Sequence, residues 1–165
     1  MPRADVGEPE TPLGSRYGLE IRTAVAADAP GLADLMRTAG HPVPAHDLAD
    51  RLDLLRYGHG TALVALEWGP PSGIVVLHWY PALEQASPVA QVTLLLVGPD
   101  ERRRGIGRQL LKAASQAARM AGCGTLHLLA APDRPDLRAF CAATGFVEAA
   151  AGFARPLRKR GSADP

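Results

Sequence analysis

The sequence predicts a mixed β-sheet flanked by helices, an α/β (α+β) fold in a single domain. Two observations carry this. The residue patterns follow one another as strand, two helices, three strands, helix, strand, helix and strand, an order that is neither a doubly wound alternation nor an all-β run. The chain of 165 residues fits one domain with a real core and leaves no room for a second. That domain is expected over residues 17–158. Residues 1–16, with Pro2, Pro9, Pro12 and several charges, read as a mobile leader, and residues 159–165 as a polar tail.

Taken in order, Leu19 to Thr23 alternates like a short strand, and Asp28 is placed to cap a helix through Leu32, Leu35 and Met36 that Gly40 stops. Pro42 and Pro44 mark a turn. A second helix carries Leu48, Leu52 and Leu55 on one face and Asp47, Asp50, Arg51 and Asp53 on the other, ending near Gly58. Thr61 to Glu67 and Ile74 to Tyr80 read as strands joined by a hairpin loop, Gly69-Pro70-Pro71-Ser72-Gly73. Gln91 to Val97 is a buried strand. From Gly105 the apolar positions Ile106, Leu110, Ala114, Ala117 and Ala121 recur at helical spacing. Thr125 to Ala130 is the next strand, a short helix follows from Arg134, and two weak strands are expected at Phe146 to Glu148 and Phe153 to Leu157.

The join between the Gln91 strand and the Gly105 helix is the most informative stretch. Its residues Arg102-Arg103-Arg104-Gly105-Ile106-Gly107-Arg108 put a glycine-containing basic turn at a helix N-terminus. There the first backbone N–H groups lack intrahelical partners and the macrodipole is positive, so a phosphate is a natural acceptor. Gly105 and Gly107 let a ligand approach the backbone, and four arginines add charge-assisted donors. A nucleotide-bearing cofactor fits such a turn. A phosphate loop ending in Gly-Lys-Ser/Thr is missing from it, which argues against a nucleotide triphosphate.

The spacing Val97-x-Pro99-x-x-Arg102-x-x-Gly105-x-Gly107, followed by Arg134 to Phe146 with its closing Gly145-Phe146, resembles the acetyl-CoA site of the GNAT superfamily of N-acyltransferases. The resemblance covers about Leu19 to Leu157. It implies two parallel strands that splay around acetyl-CoA, the cosubstrate, with no metal. The backbone of Leu95, Leu96 and Val97 would meet the pantetheine arm, and the N–H groups from Arg102 through Ile106 to Arg108 the pyrophosphate. Arg103, Arg104 and Arg108 would reach the 3′-phosphate while Arg102 packs along the turn. Arg134 stands where many members carry an Asn that meets pantetheine, and Phe140 is also assigned to the cofactor.

The implied activity is N-acetyl transfer to a primary amine of a small molecule or peptide by direct attack. The catalytic positions depart from the family. Gln91, Thr93 and Leu94 stand where carboxylates are common, Leu129 and Ala130 where polar residues are common, and Phe140-Cys141 replaces Phe-Tyr. Cys141 is thus a candidate general acid, with a small packed hydrophobe as its other reading. General acid–base groups give about 10²–10⁴ in rate, whereas alignment of reactants is equivalent to about 10⁵–10⁸ M. Positioning can therefore sustain catalysis; the competing reading is a catalytically weak or inactive acyl-CoA-binding domain. His41, His46, His78, Gln91 and Thr93 are candidate substrate-binding residues, and His78 or His127 can serve as a base through a water.

A formal charge of +1 gives no global field for nucleic acid, and no apolar run reaches a membrane span. Two cysteines outside any metal-ligand spacing make neither a disulfide framework nor a metal site. The expectation is a cytoplasmic enzyme without nucleic-acid or membrane partners. A homodimer is an open assembly, common among proteins of the family it resembles.

Overall fold

The computed structural model describes residues 18–130, 133–149 and 155, and the chain divides after Leu128 into two compact units. Residues 1–16, 159–165 and most of Phe153–Leu157 lie outside the described residues. In the first unit, strands β1 (Glu20–Thr23), β2 (Gly60–Leu66), β3 (Gly73–Tyr80), β4 (Val89–Val97) and β5 (Thr125–Leu128) form one sheet in that spatial order. β1 to β4 pair antiparallel and β4 pairs with β5 in parallel, which is the mixed sheet expected. The parallel step needs a long crossover, and helix α3 (Ile106–Met120) supplies it.

Both faces of the sheet are covered, so its central strand is apolar almost throughout rather than alternating. On β3, Val75 and Leu77 are fully buried and Ile74 nearly so. One face packs on α3. A Cβ on Gly73 would lie 3.0 Å from Leu110 and 3.3 Å from Ile106, so a residue without a side chain lets the start of α3 press against the strand. The other face packs on α1 (Ala29–Thr38) and α2 (Ala45–Tyr57), where Leu32, Leu35, Leu48 and Leu52 meet Val64 and Ile74. α1 ends in a left-handed Gly40 (φ 82°), with the His41 N–H bonded to the Met36 carbonyl at 2.9 Å, the tight closure glycine favours.

Three local expectations are corrected. Asp28 makes no side-chain cap to α1; its carboxylate accepts the Val25 N–H at 2.8 Å and both terminal nitrogens of Arg22 at 2.8 Å, fixing the 3-10 turn Ala26–Asp28 to β1. A charged donor six residues back, the Arg22 guanidinium, outcompetes the helix's own N–H groups for that carboxylate. The buried row on α3 is Ile106, Leu110, Leu111, Ala114 and Ala118, not Ala117 and Ala121, because the contact follows four-residue steps that wind round the helix. Phe146 to Glu148 is not a strand. In the second unit α4 (Pro135–Ala143) closes with the Phe146 N–H on the Cys141 carbonyl at 3.0 Å, and Glu148 pairs with Arg138, so that segment's groups are held by its own helix.

No described helix is long and apolar enough to cross a membrane.

The hydrogen bond from Arg22, helped by the Val25 N–H, holds the Asp28 carboxyl below the usual carboxylate range against the opposing effect of burial. The Asp28 side chain is 10% exposed and that of Arg22 36%, so solvent trims the gain. Asp28→Asn should cost about 1–2 kcal/mol in urea denaturation at neutral pH. Because the folded value is depressed, this contribution is complete above the unfolded value of about 3.9 and disappears as pH falls through the folded one. A parent–variant gap that persists or widens in acid would contradict the pair's role.

Candidate functional site

Backbone pairing leaves one edge of β4 open. The β4–β5 ladder runs Val89↔Thr125, Ala90↔Leu126, Gln91↔His127 and Val92↔Leu128, and then ends, while β4 continues to Val97. On the β3 side the register passes from Val76↔Leu94 to Leu77↔Val92, so Thr93 is an extra, bulged residue at the point where the ladder stops. Its hydroxyl donates to the Val76 carbonyl at 3.5 Å. The Gly98 N–H donates to the Ser72 carbonyl at 2.9 Å, which fixes the side toward which alternate residues point. Strand N–H and C=O groups alternate, so those of Leu95 and Val97 face away from β3. They find no partner among the described residues, and such groups seek one.

The open edge leads into the basic turn. Pro99–Glu101 makes a 3-10 turn, closed by the Glu101 N–H on the Gly98 carbonyl at 2.9 Å. Arg103 (φ 64°) and Gly105 (φ 80°) are both left-handed, the kind of backbone concavity that gathers N–H groups. Gly105 caps α3, whose first ladder bond runs from Gln109 to the Gly105 carbonyl at 3.1 Å. The N–H groups of Ile106, Gly107 and Arg108 therefore lack intrahelical acceptors. No side chain caps them and no acidic residue stands in the first turn, so nothing local neutralises the positive helix end. A Cβ at Gly105 would meet nothing within 4 Å; the space over the turn is open.

The four arginines divide. Arg104 is held by Glu67 at 2.7 Å and by Glu101, tying the turn to the chain just beyond β2. Arg102, Arg103 and Arg108 are exposed and make no ion pair among the described residues. Arg102 is therefore not packed along the turn, and Arg104 is engaged rather than free. In the second unit, Arg134 precedes α4 and pairs with Asp136 at 3.3 Å. Phe140 and Cys141 are half-buried on that helix, and burial pushes the Cys141 thiol up, keeping it protonated at neutral pH.

Between α1, α2 and the sheet lies a cavity of about 450 Å³. Leu32, Met36, Leu48, Ile74, Val76 and Leu94 line it, and its polar side chains are Arg51, His59 and His78. His41 and His46 do not line it; His46 lies 3.0 Å from Asp47 on the surface of α2. Gln91 sits in register between His78 on β3 and His127 on β5, making a polar row on the sheet face toward the cavity. His59 was not a sequence candidate. It lies in Gly58-His59-Gly60 between α2 and β2, and a Cβ on Gly60 would be 3.1 Å from Nδ1 of His78, so the absence of a side chain at Gly60 leaves room for the His78 ring. A histidine flanked by glycines at a helix–strand junction was the available signal.

The described residues contain no group of three or more His, Cys, Asp or Glu able to hold a metal ion.

The family model described as Acetyltransferase (GNAT) family matches residues 30–146. Aminoglycoside N(6′)-acetyltransferase type 1 of Salmonella typhimurium is 30% identical over 112 residues, 66% of this chain and 77% of that protein. Mycothiol acetyltransferase of Cellulomonas flavigena is 41% identical over 75 residues, and the match spans 46% of this chain but 22% of that protein's length. Among solved structures, a chain assigned as an acetyltransferase from Agrobacterium tumefaciens superposes with a TM-score of 0.75 at 27% identity, covering 83% of this chain and 99% of its own.

The two turn glycines separate in a stability measurement. Gly105→Ala should cost about 1–2 kcal/mol through its left-handed backbone, with no clash. Gly107→Ala, within the first turn of α3, should be neutral or stabilising by up to about 1 kcal/mol. Urea denaturation of both variants reads this, and equal losses would contradict the cap geometry.

Proposed function

This chain belongs to the acetyltransferase (GNAT) family, and on that premise we propose that it moves an acetyl group from acetyl-CoA to a primary amine of a small molecule or peptide. The observation that carries the reading is the open edge of β4 running straight into an uncapped, arginine-flanked helix N-terminus. An extended arm carrying amides adds to such an edge as a further strand would, through Leu95 and Val97. The pyrophosphate then falls to the N–H groups of Ile106, Gly107 and Arg108, and the 3′-phosphate to Arg103 or Arg108, since Arg104 already has two carboxylate partners.

In the reaction a neutral amine attacks the thioester carbonyl, a C–N bond forms, the C–S bond breaks, and the thiolate takes a proton. The cavity abuts β4 at Leu94, beside the bulge, which suits an amine brought to the start of the open edge. No carboxylate lines the cavity among the described residues, so the imidazoles of His78 and His59 are the side chains there suited to take the amine proton near neutral pH. Cys141, kept protonated by burial, is the candidate donor to the thiolate. The same lack of a carboxylate favours the second reading, a domain that binds acyl-CoA with weak or no catalysis.

Free-thiol release with an amine panel separates the two readings, since the binding domain would release little or none above the amine-free rate. Titration calorimetry with acetyl-CoA should show Gly107→Val losing more affinity than Arg103→Ala, by tenfold or more, about 1.4 kcal/mol. Equal, negligible losses would remove the turn from the cofactor site. Cys141→Ala should lower turnover by about 10² with acetyl-CoA affinity unchanged. Unaltered turnover would assign the thiol to packing.

A further inference from the structure

We propose that the cavity between α1, α2 and the sheet selects an acceptor amine built on an apolar body with one carboxylate, and that Arg51 pairs with that carboxylate. This rests on the acetyl-transfer reading and narrows it to a substrate class.

The wall chemistry sets the class. The helix and sheet residues lining the cavity are aliphatic or Met36 apart from Gly58, Arg51, His59 and His78, and no Asp or Glu joins them among the described residues. Its volume, about 450 Å³, is within the roughly 300–1,000 Å³ of small-molecule sites. A polycationic acceptor would place extra ammonium groups against leucines with no counter-charge, which is strongly unfavourable. The Salmonella relative is named for aminoglycosides, which are polycationic, so the pocket chemistry of this chain points elsewhere.

Arg51 supplies the positive half of the argument. It lies on α2 among Asp47, Asp50 and Asp53, yet it makes no ion pair among the described residues. Asp47 is beside His46 at 3.0 Å, and on the facing helix Asp34 is taken by Arg37 at 3.2 Å. A solvent-exposed guanidinium that lines an apolar cavity and has no ion-pair partner among the described residues is available to match a carboxylate bidentately. The opposite wall holds His78 on β3, and Leu94 adjoins the β4 bulge. An α-amino acid with an aryl or branched side chain spans this arrangement, its carboxylate toward α2, its side chain among the leucines and its nitrogen toward β4.

The test compares L-phenylalanine, phenethylamine and spermidine as acceptors for the full chain at saturating acetyl-CoA, in the parent, Arg51→Gln and Arg51→Lys. Arg51→Gln should raise KM for phenylalanine about tenfold or more and that for phenethylamine less than about twofold, with Arg51→Lys in between. Reading the change separately for each amine cancels differences in amine pKa. Equal shifts for both amines, or spermidine as the best acceptor, would overturn the proposal. Calorimetry of phenylalanine and phenethylamine on the coenzyme A-loaded protein provides a readout independent of chemistry. If no amine is acetylated but phenylalanine binds more tightly than phenethylamine and loses that margin in Arg51→Gln, the transfer reading fails and the pocket assignment stands. If phenylalanine does not bind, the assignment falls.

Discussion

A strand that is satisfied along one edge and open along half of the other is the constraint around which this molecule is arranged. β4 is hydrogen-bonded to β3 over its whole length, but its parallel partner leaves it at Val92. The bulge at Thr93 falls at that point. An extra residue increases local twist and bends the bulged strand, which turns β4 away from β5 just where pairing ends. Continuing the parallel ladder to Val97 would remove the open groups of Leu95 and Val97, and with them the backbone surface of β4 that can take an extended ligand.

Electrostatics is concentrated where that edge stops. With a formal charge of +1 over the whole chain, attraction for a polyphosphate has to be local, and the turn after β4 makes it so. Left-handed Arg103 and Gly105 fold the backbone so that the first N–H groups of α3 point to open space. The glycine at this point is the low-strain choice, whereas Arg103 in the same region costs about 1–2 kcal/mol, a strain that the surrounding turn must hold. Glu67 and Glu101 on Arg104 do part of that holding. One arginine is structural, and the exposed ones beside it are available to a ligand.

Much of this was legible in the sequence because it depends on short-range rules. Strand alternation, the glycine spacing of the turn and the helical stripe from Ile106 follow from steric and periodic constraints within a few residues. What was not legible depends on partners far along the chain. Arg104 could not be told from its neighbours without Glu67, 37 residues away. Asp28 reads as a helix cap until Arg22 is placed beside it, and Phe146 to Glu148 reads as a strand until its groups are claimed by Cys141 and Arg138. Likewise His41 and His46, chosen for their nearness to the helix junction, face solvent and stay outside the cavity, while His59 and Arg51 line it because α2 packs against α1 and β2. The bulge at Thr93 is a mismatch between two strands and has no signature in either one.

The account turns on the open edge of β4 accepting the cofactor, and amide hydrogen exchange reads that edge directly. In the free protein the amides of Leu95 and Val97 should exchange faster than that of Leu96, which faces β3. Saturating acetyl-CoA should slow Leu95 and Val97 by about tenfold or more while leaving Leu96 little changed. Acetyl-CoA binding, verified by calorimetry, with no added protection at Leu95 and Val97 would contradict the account.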